Sequence, residues 1–169
     1  PMKDAGLQSV NISLDAVDTA ISFDISKRNK LQQTLSGIDK AIEANLQLKI
    51  NTVVMKGVND NQLIKLFEFA KERNITIRFL ELMQMGFLYH NFQQYFFSEE
   101  EIVKTISANY DITSLNRDTS ATAKYWITSD GYKFGIISNE SDPFCNDCNR
   151  LRLDSYGNIY GCLSDNHPI

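Results

Sequence analysis

The chain has 169 residues, 43% of them hydrophobic and 22% charged, and a formal net charge of −4. That is enough chain for one good core, and its weakly acidic balance lacks the basic surplus a nucleic-acid or polyanionic surface would need, so any phosphate must be met by local arginines and lysines. No run reaches the length of a membrane span and no signal segment is visible, which points to the cytoplasm and away from a membrane role. In chain order, Val10 to Leu14 alternates as a short strand, and Asp15 to Arg28 is a mixed segment with room for one short helix. Leu31, Leu35, Ile38 and Ile42 recur at helical spacing and predict an amphipathic helix from about Lys30 to Ala44. Leu48 to Met55 is a second strand, rich in β-branched residues. Asn59 or Asp60 can cap a helix with Leu63, Leu66, Phe67 and Ala70 as its buried stripe, and Ile75 to Met83 is a third strand. Strand, helix, strand, helix, strand is the pattern of a parallel sheet.

These strands are not uniformly apolar, as parallel strands covered on both faces would be. Asn11, Ser13, Lys49, Asn51 and Glu81 read as a polar face, and Ile12, Leu48, Ile50, Val54, Leu80 and Leu82 as an apolar one. Helices outside and a polar inner face are what a barrel lumen built around a ligand requires. A solvated edge, or polar groups paired with each other, would produce the same pattern.

After Met83, residues 84–97 concentrate aromatic side chains, among them Phe87, Tyr89, Phe92 and Tyr95. An aromatic cover over the end of a core is the common use of such a stretch, and a base-stacking platform the rarer one. Ser98 to Glu101 has the capping-box arrangement and leads into Ile102 and Ile106. Lys124 to Thr128 and Tyr132 to Ser138 are strands joined through Ser129-Asp130-Gly131, a hairpin signal. His90 has no partner motif, and neither the phosphate-loop nor the dinucleotide glycine pattern is present.

All three cysteines fall near the end of the chain. Cys145 and Cys148 form a C-x2-C pair, and Cys162 follows fourteen residues later. Between them Arg150-Leu151-Arg152-Leu153 alternates as a strand, and Ser155 to Asn158 has turn chemistry. A hairpin closed there sets position 151 opposite 162, gathers three thiolates at one point and lays Arg150 and Arg152 on one face close to them. Three thiolates leave one metal position open, as an iron–sulfur cluster would for a substrate atom; His167 could instead complete a closed Cys3His zinc module. A disulfide is the weakest reading for an odd cysteine count without a signal segment, and three unrelated buried thiols are the bland one.

Val10 to Asp15, Lys49 to Asp60 and Ile77 to Met83 together resemble successive barrel strands of the GTP 3′,8-cyclase family, radical-SAM lyases that open molybdenum cofactor biosynthesis. Phe144 through Cys162 is similar to that family's C-terminal cluster motif in spacing and residue type, and the likeness runs from about Gly6 to Leu163. It implies an α/β fold: the C-terminal half of a TIM-like barrel over residues 1–97, and a region over 98–169 with a helix, β-hairpins and the cluster motif. It implies a [4Fe-4S] cluster on Cys145, Cys148 and Cys162, GTP contacts from Lys49, Arg150, Leu151 and Arg152, and S-adenosylmethionine contacts from Ser13 and Met83. A second [4Fe-4S] cluster, which cleaves S-adenosylmethionine, belongs to the family's N-terminal half; its C-x3-C-x2-C loop is not in this sequence, so the chain is expected to be a piece of a longer enzyme and inactive alone. Half a barrel leaves a sheet edge open and points to self-association as a homodimer. Cyclic pyranopterin monophosphate synthase would be the next enzyme. A different radical-SAM enzyme with an auxiliary cluster, or a zinc module, are the competing readings.

Overall fold

The computed structural model describes residues 2–165 and 167–169, with the side chain of Phe87, one of the expected aromatic cover, outside the described set. Strand β1 (Ser9–Ser13) is followed by α1 (Thr19–Ser26) and α2 (Leu31–Glu43), then β2 (Gln47–Val54), α3 (Leu63–Glu72) and β3 (Thr76–Glu81). The second half adds α4 (Phe92–Tyr95), α5 (Glu99–Ser107), β4 (Ile112–Ser114), β5 (Lys124–Thr128) and β6 (Lys133–Ile137), and ends with the hairpin β7 (Arg152–Leu153) and β8 (Ile159–Tyr160). Six strands form one sheet in the order β1-β2-β3-β6-β5-β4. Its first four members run parallel, and β6-β5-β4 is antiparallel. The expected parallel unit and the β5–β6 hairpin are both present. Among the described residues the sheet is open, with β1 and β4 as its edges, rather than closed on itself.

Local chemistry accounts for most of these elements. In α3 the buried residues are Leu63, Leu66, Phe67 and Ala70, the stripe read from spacing. In α2, Leu31, Ile38 and Ala41 are buried, whereas Ile42 is exposed. Asp18 starts α1 by accepting the Ala20 and Ile21 backbone N–H groups at 2.9 and 3.0 Å. Ser98 and Glu101 form the complete capping box at α5. Phe92 and Phe97 are buried as part of the aromatic cover, while Tyr89 is half exposed.

Two expectations need correction. Neither Asn59 nor Asp60 caps α3, which begins after a short turn helix, Asp60–Gln62, with no side-chain cap. Asn59 instead donates to Asp15 O and Val53 O at 2.8 and 2.9 Å and accepts the Met55 N–H at 2.7 Å, tying the ends of β1 and β2 together. Glu81 and Leu80 also lie on the faces opposite to those expected. Register sets Val54 beside Glu81 and Val53 beside Leu80, so Glu81 joins the buried face of Ile50, Ile77 and Phe79. Neighbouring residues on a strand point to opposite faces, and Arg78, not Glu81, continues the polar row of Ser13 and Asn51.

The sheet is therefore one-sided. Helices α2, α3 and α5 pack their stripes on the face of Ile50, Ile77, Phe79 and Ile136. The other face carries Asn11, Ser13 and Lys49, all exposed, beside half-buried Asn51 and Arg78. The groups on it pair with each other: Arg78 donates from Nε to Asn51 Oδ1 at 2.8 Å and from Nη2 to Asn11 Oδ1 at 3.1 Å. Gly135, the β6 partner of Arg78, makes room for this, since a Cβ there would lie 3.1 Å from Arg78 Cγ.

Candidate functional site

The open face ends in a cleft of about 250 Å³ at the C-terminal ends of β3 and β6. Its floor is Leu80 and Ile137, cross-strand partners on that face. Its walls include Phe144, Cys148, Arg150, Arg152 and Cys162 from the last part of the chain, and Met83 just beyond β3. Ligand sites in sheets with parallel strands favour this end, where chain turns leave a crevice.

The hairpin that builds the wall is held by Asp154. Its Oδ1 accepts the Tyr156 and Asn158 backbone N–H groups at 2.8 and 2.9 Å, and Oδ2 accepts from Asn158 Nδ2 and the Tyr160 hydroxyl at 2.9 and 3.2 Å. The Asn158 bonds, the largest contribution, hold this carboxyl below its ordinary range. Gly157 takes the left-handed conformation (φ 88°) that the loop needs. Arg152 pairs with Tyr160 and Leu153 with Ile159, so the register is one residue away from the expected one. A one-residue slip exchanges faces. Continued along the hairpin, the observed register sets position 150 across from 162, and Cys162 shares the cleft with Arg150 and Arg152. Leu151 and Leu153 are exposed, and neither lines this cleft.

Cys145, Cys148 and Cys162 are all free and exposed. Cys145 opens a short turn helix, Cys145–Asp147, and Cys148 follows it, donating from its backbone N to Cys145 O at 3.2 Å. Arg150 Nη1 donates to Cys148 Sγ at 3.3 Å. The Arg150 backbone N–H, and then its guanidinium, pull the Cys148 thiol below its usual range. Of the three cysteines expected to converge, Cys148 and Cys162 line the cleft and Cys145 does not. Among the described residues no three His, Cys, Asp or Glu side chains are gathered closely enough to hold a metal ion. His167, the candidate fourth ligand, is 93% exposed and lies 3.7 Å from Asp165. By residue type alone, three cysteines and two arginines in one short segment are a donor set that suits a thiolate-held cluster with an anionic ligand nearby.

The remaining candidates are dispersed. Ser13 lines a separate cavity of about 290 Å³ with Asp15, Arg28 and Lys30. Burial pushes the Asp15 carboxyl up, partly offset by the Val53 N–H that it accepts at 2.9 Å. Met83 belongs to the thiol cleft, and Lys49 stands on the open face in register with Asn11 and Thr76. Arg78 was missed in the sequence, although its position between Ile77 and Phe79 places it on the Asn51 face by simple alternation. Arg117 and Ser120, which hold the cysteine loop through Asp147, have no sequence signature at all.

Fold and site together define a mixed α/β protein with a thiol- and guanidinium-lined cleft at the ends of its parallel strands. Residues 75–169 match the family described as Molybdenum Cofactor Synthesis C, and residues 1–70 match the Radical SAM superfamily. The first match covers more than half of the chain, which belongs to the molybdenum cofactor synthesis C family. Curated relatives named GTP 3′,8-cyclase include those of Helicobacter pylori, 41% identical, Nautilia profundicola, 39%, and Campylobacter curvus, 40%. Each likeness covers 96% of this chain and 50% of the relative. The chain spans about half the length of the curated relatives it matches.

Proposed function

We propose that this chain is the C-terminal portion of a GTP 3′,8-cyclase, which converts GTP to 3′,8-cyclo-7,8-dihydroguanosine 5′-triphosphate with S-adenosylmethionine, and that it supplies the GTP-binding side. The observation that carries this is the cleft itself: two of the three motif cysteines and both motif arginines line it together. In this reading Cys145, Cys148 and Cys162 hold a [4Fe-4S] cluster, which when bound supplies an open iron for a purine atom. Arg150 and Arg152 take the triphosphate through planar, permanently charged donors, and Lys49 and Arg78 extend the positive face along the sheet. Leu151 lies outside the cleft lining, and its GTP contact in this reading rests on the family likeness alone. Ser13 and Met83 hold S-adenosylmethionine from two sides of the open face. The protein's work is to orient both ligands and exclude water, and the apolar floor of Leu80 and Ile137 suits that task. The radical-generating cluster would lie in sequence beyond this chain, so the chain alone would bind without turning over. Cytoplasmic residence, a homodimer and handover to cyclic pyranopterin monophosphate synthase belong to the same proposal.

Anaerobic iron and sulfide reconstitution followed by GTP titration tests it. The expected result is about four irons per chain, an absorption spectrum perturbed by GTP, and loss of that perturbation in Arg150→Ala/Arg152→Ala. Iron uptake unaffected by Cys148→Ser, or a spectrum blind to GTP, would overturn the reading.

A further inference from the structure

The two cysteines of the C-x2-C pair sit on a loop that has little core of its own: Cys145, Asn146, Cys148 and Asn149 are all exposed. Something other than burial must hold it. Asp147, between the two cysteines, is its one strongly tied side chain. Nη2 of Arg117 donates to both of its carboxylate oxygens at 2.9 Å, and the Ser120 backbone N–H donates to Oδ2 at 2.9 Å. The Ser120 hydroxyl returns to the Asp147 carbonyl at 2.7 Å. Arg117 is itself fastened, donating from Nη1 to Ala121 O at 2.7 Å. The loop closes through Arg150, whose guanidinium donates both to the Ser120 carbonyl and to Cys148 Sγ. Ser120 presents its N–H and its carbonyl to these two partners from a left-handed conformation, φ 61°, uncommon for a non-glycine residue.

We propose that Arg117, Ser120 and Asp147 form a clamp that sets the position of the cysteine-pair loop before any metal binds, so that Cys148 and Arg150 meet the cleft already oriented. Arg117 and Asp147 are positioning residues here, acting through Cys148 and Arg150. Their side chains are 30% and 28% exposed, so the ion pair is shielded enough for its geometry to matter more than that of a fully solvated pair. Ordering the loop in advance removes an entropy cost that ligand capture would otherwise carry. Only the metal arm of the test rests on the proposed function above; the clamp itself is a property of the metal-free chain.

The test is backbone amide hydrogen exchange in the metal-free full chain, followed by mass spectrometry. Asp147→Ala and Arg117→Ala should each speed exchange of the Cys148 amide, which donates to Cys145 O at 3.2 Å, by about fivefold, the worth of one lost partly buried contact. Exchange across the β7–β8 hairpin should stay unchanged, and the double variant should add nothing further because both members act as one unit. Ser120→Ala, which removes a single bond, covers the case in which Asp147→Ala unfolds, and should give a smaller change over the same loop. Equal acceleration in loop and hairpin, or none in either, would overturn the clamp. In the metal arm, Asp147→Ala should lose iron to a chelator faster than the parent after reconstitution. A parent that takes up no iron refutes the cluster reading and leaves the exchange pattern to decide the clamp.

Discussion

Glu81 is 1% exposed, yet its carboxyl accepts the Glu99, Glu140 and Ser141 backbone N–H groups at 2.7, 2.9 and 3.0 Å, and the Ser141 hydroxyl as well. It therefore joins the end of β3 to the start of α5 and to the segment leading into the cysteine loop. Glu81→Ala leaves these donors without a partner and should lower unfolding free energy by about 3 kcal/mol, read by urea denaturation. A smaller residue-scale effect is expected at Cys148. Arg150→Ala keeps the backbone N–H, the larger influence on this thiol, and removes the guanidinium that also lowers it, so the pH midpoint of its alkylation should move part of the way upward.

At the scale of elements, α5 is the best-specified helix. Its capping box satisfies two backbone donors, and Ser98→Ala should cost about 1 kcal/mol in thermal or urea unfolding. Glu101 adds a pH signature. The Ser98 backbone N–H, and then Lys56 at 2.9 Å, hold its carboxyl below the ordinary range. A carboxyl lowered in the folded state stabilises above its unfolded value, about 4.3, and that share is lost as pH falls through the folded value. Stability should therefore drop on acidification below about pH 4.3, and Glu101→Gln should flatten the drop. The terminal hairpin shows the opposite kind of specification. Turn residues at 155–158 announced a hairpin, but Asp154, through four bonds to the loop and to Tyr160, selects the register.

For the molecule as a whole, the one-sided sheet leaves β1 as a free edge beside an apolar groove of about 460 Å³ lined by Leu7, Val10 and Ile12. An unpaired edge of this kind pairs with whatever strand is available. The isolated chain should associate as its concentration rises, measured by light scattering, and Val10→Lys should suppress this by placing a charge in the groove.

The sequence alone determined the alternation of strands and helices, the stripe of α3, the polar face of β1 and β2, and the identity of the thiols and guanidinium groups. All of these rest on residue type and on periods of two or 3.6, which a single segment carries within itself. The tertiary structure decided that β6 lies beside β3, that Glu81 faces the helices while Leu80 faces the cleft, and that Arg117 reaches Asp147 thirty residues away. It also decided that only two of the three cysteines line the cleft. Such outcomes depend on how separate segments pair and on which side chain is free to reach another. A difference of one residue in register is enough to reverse them.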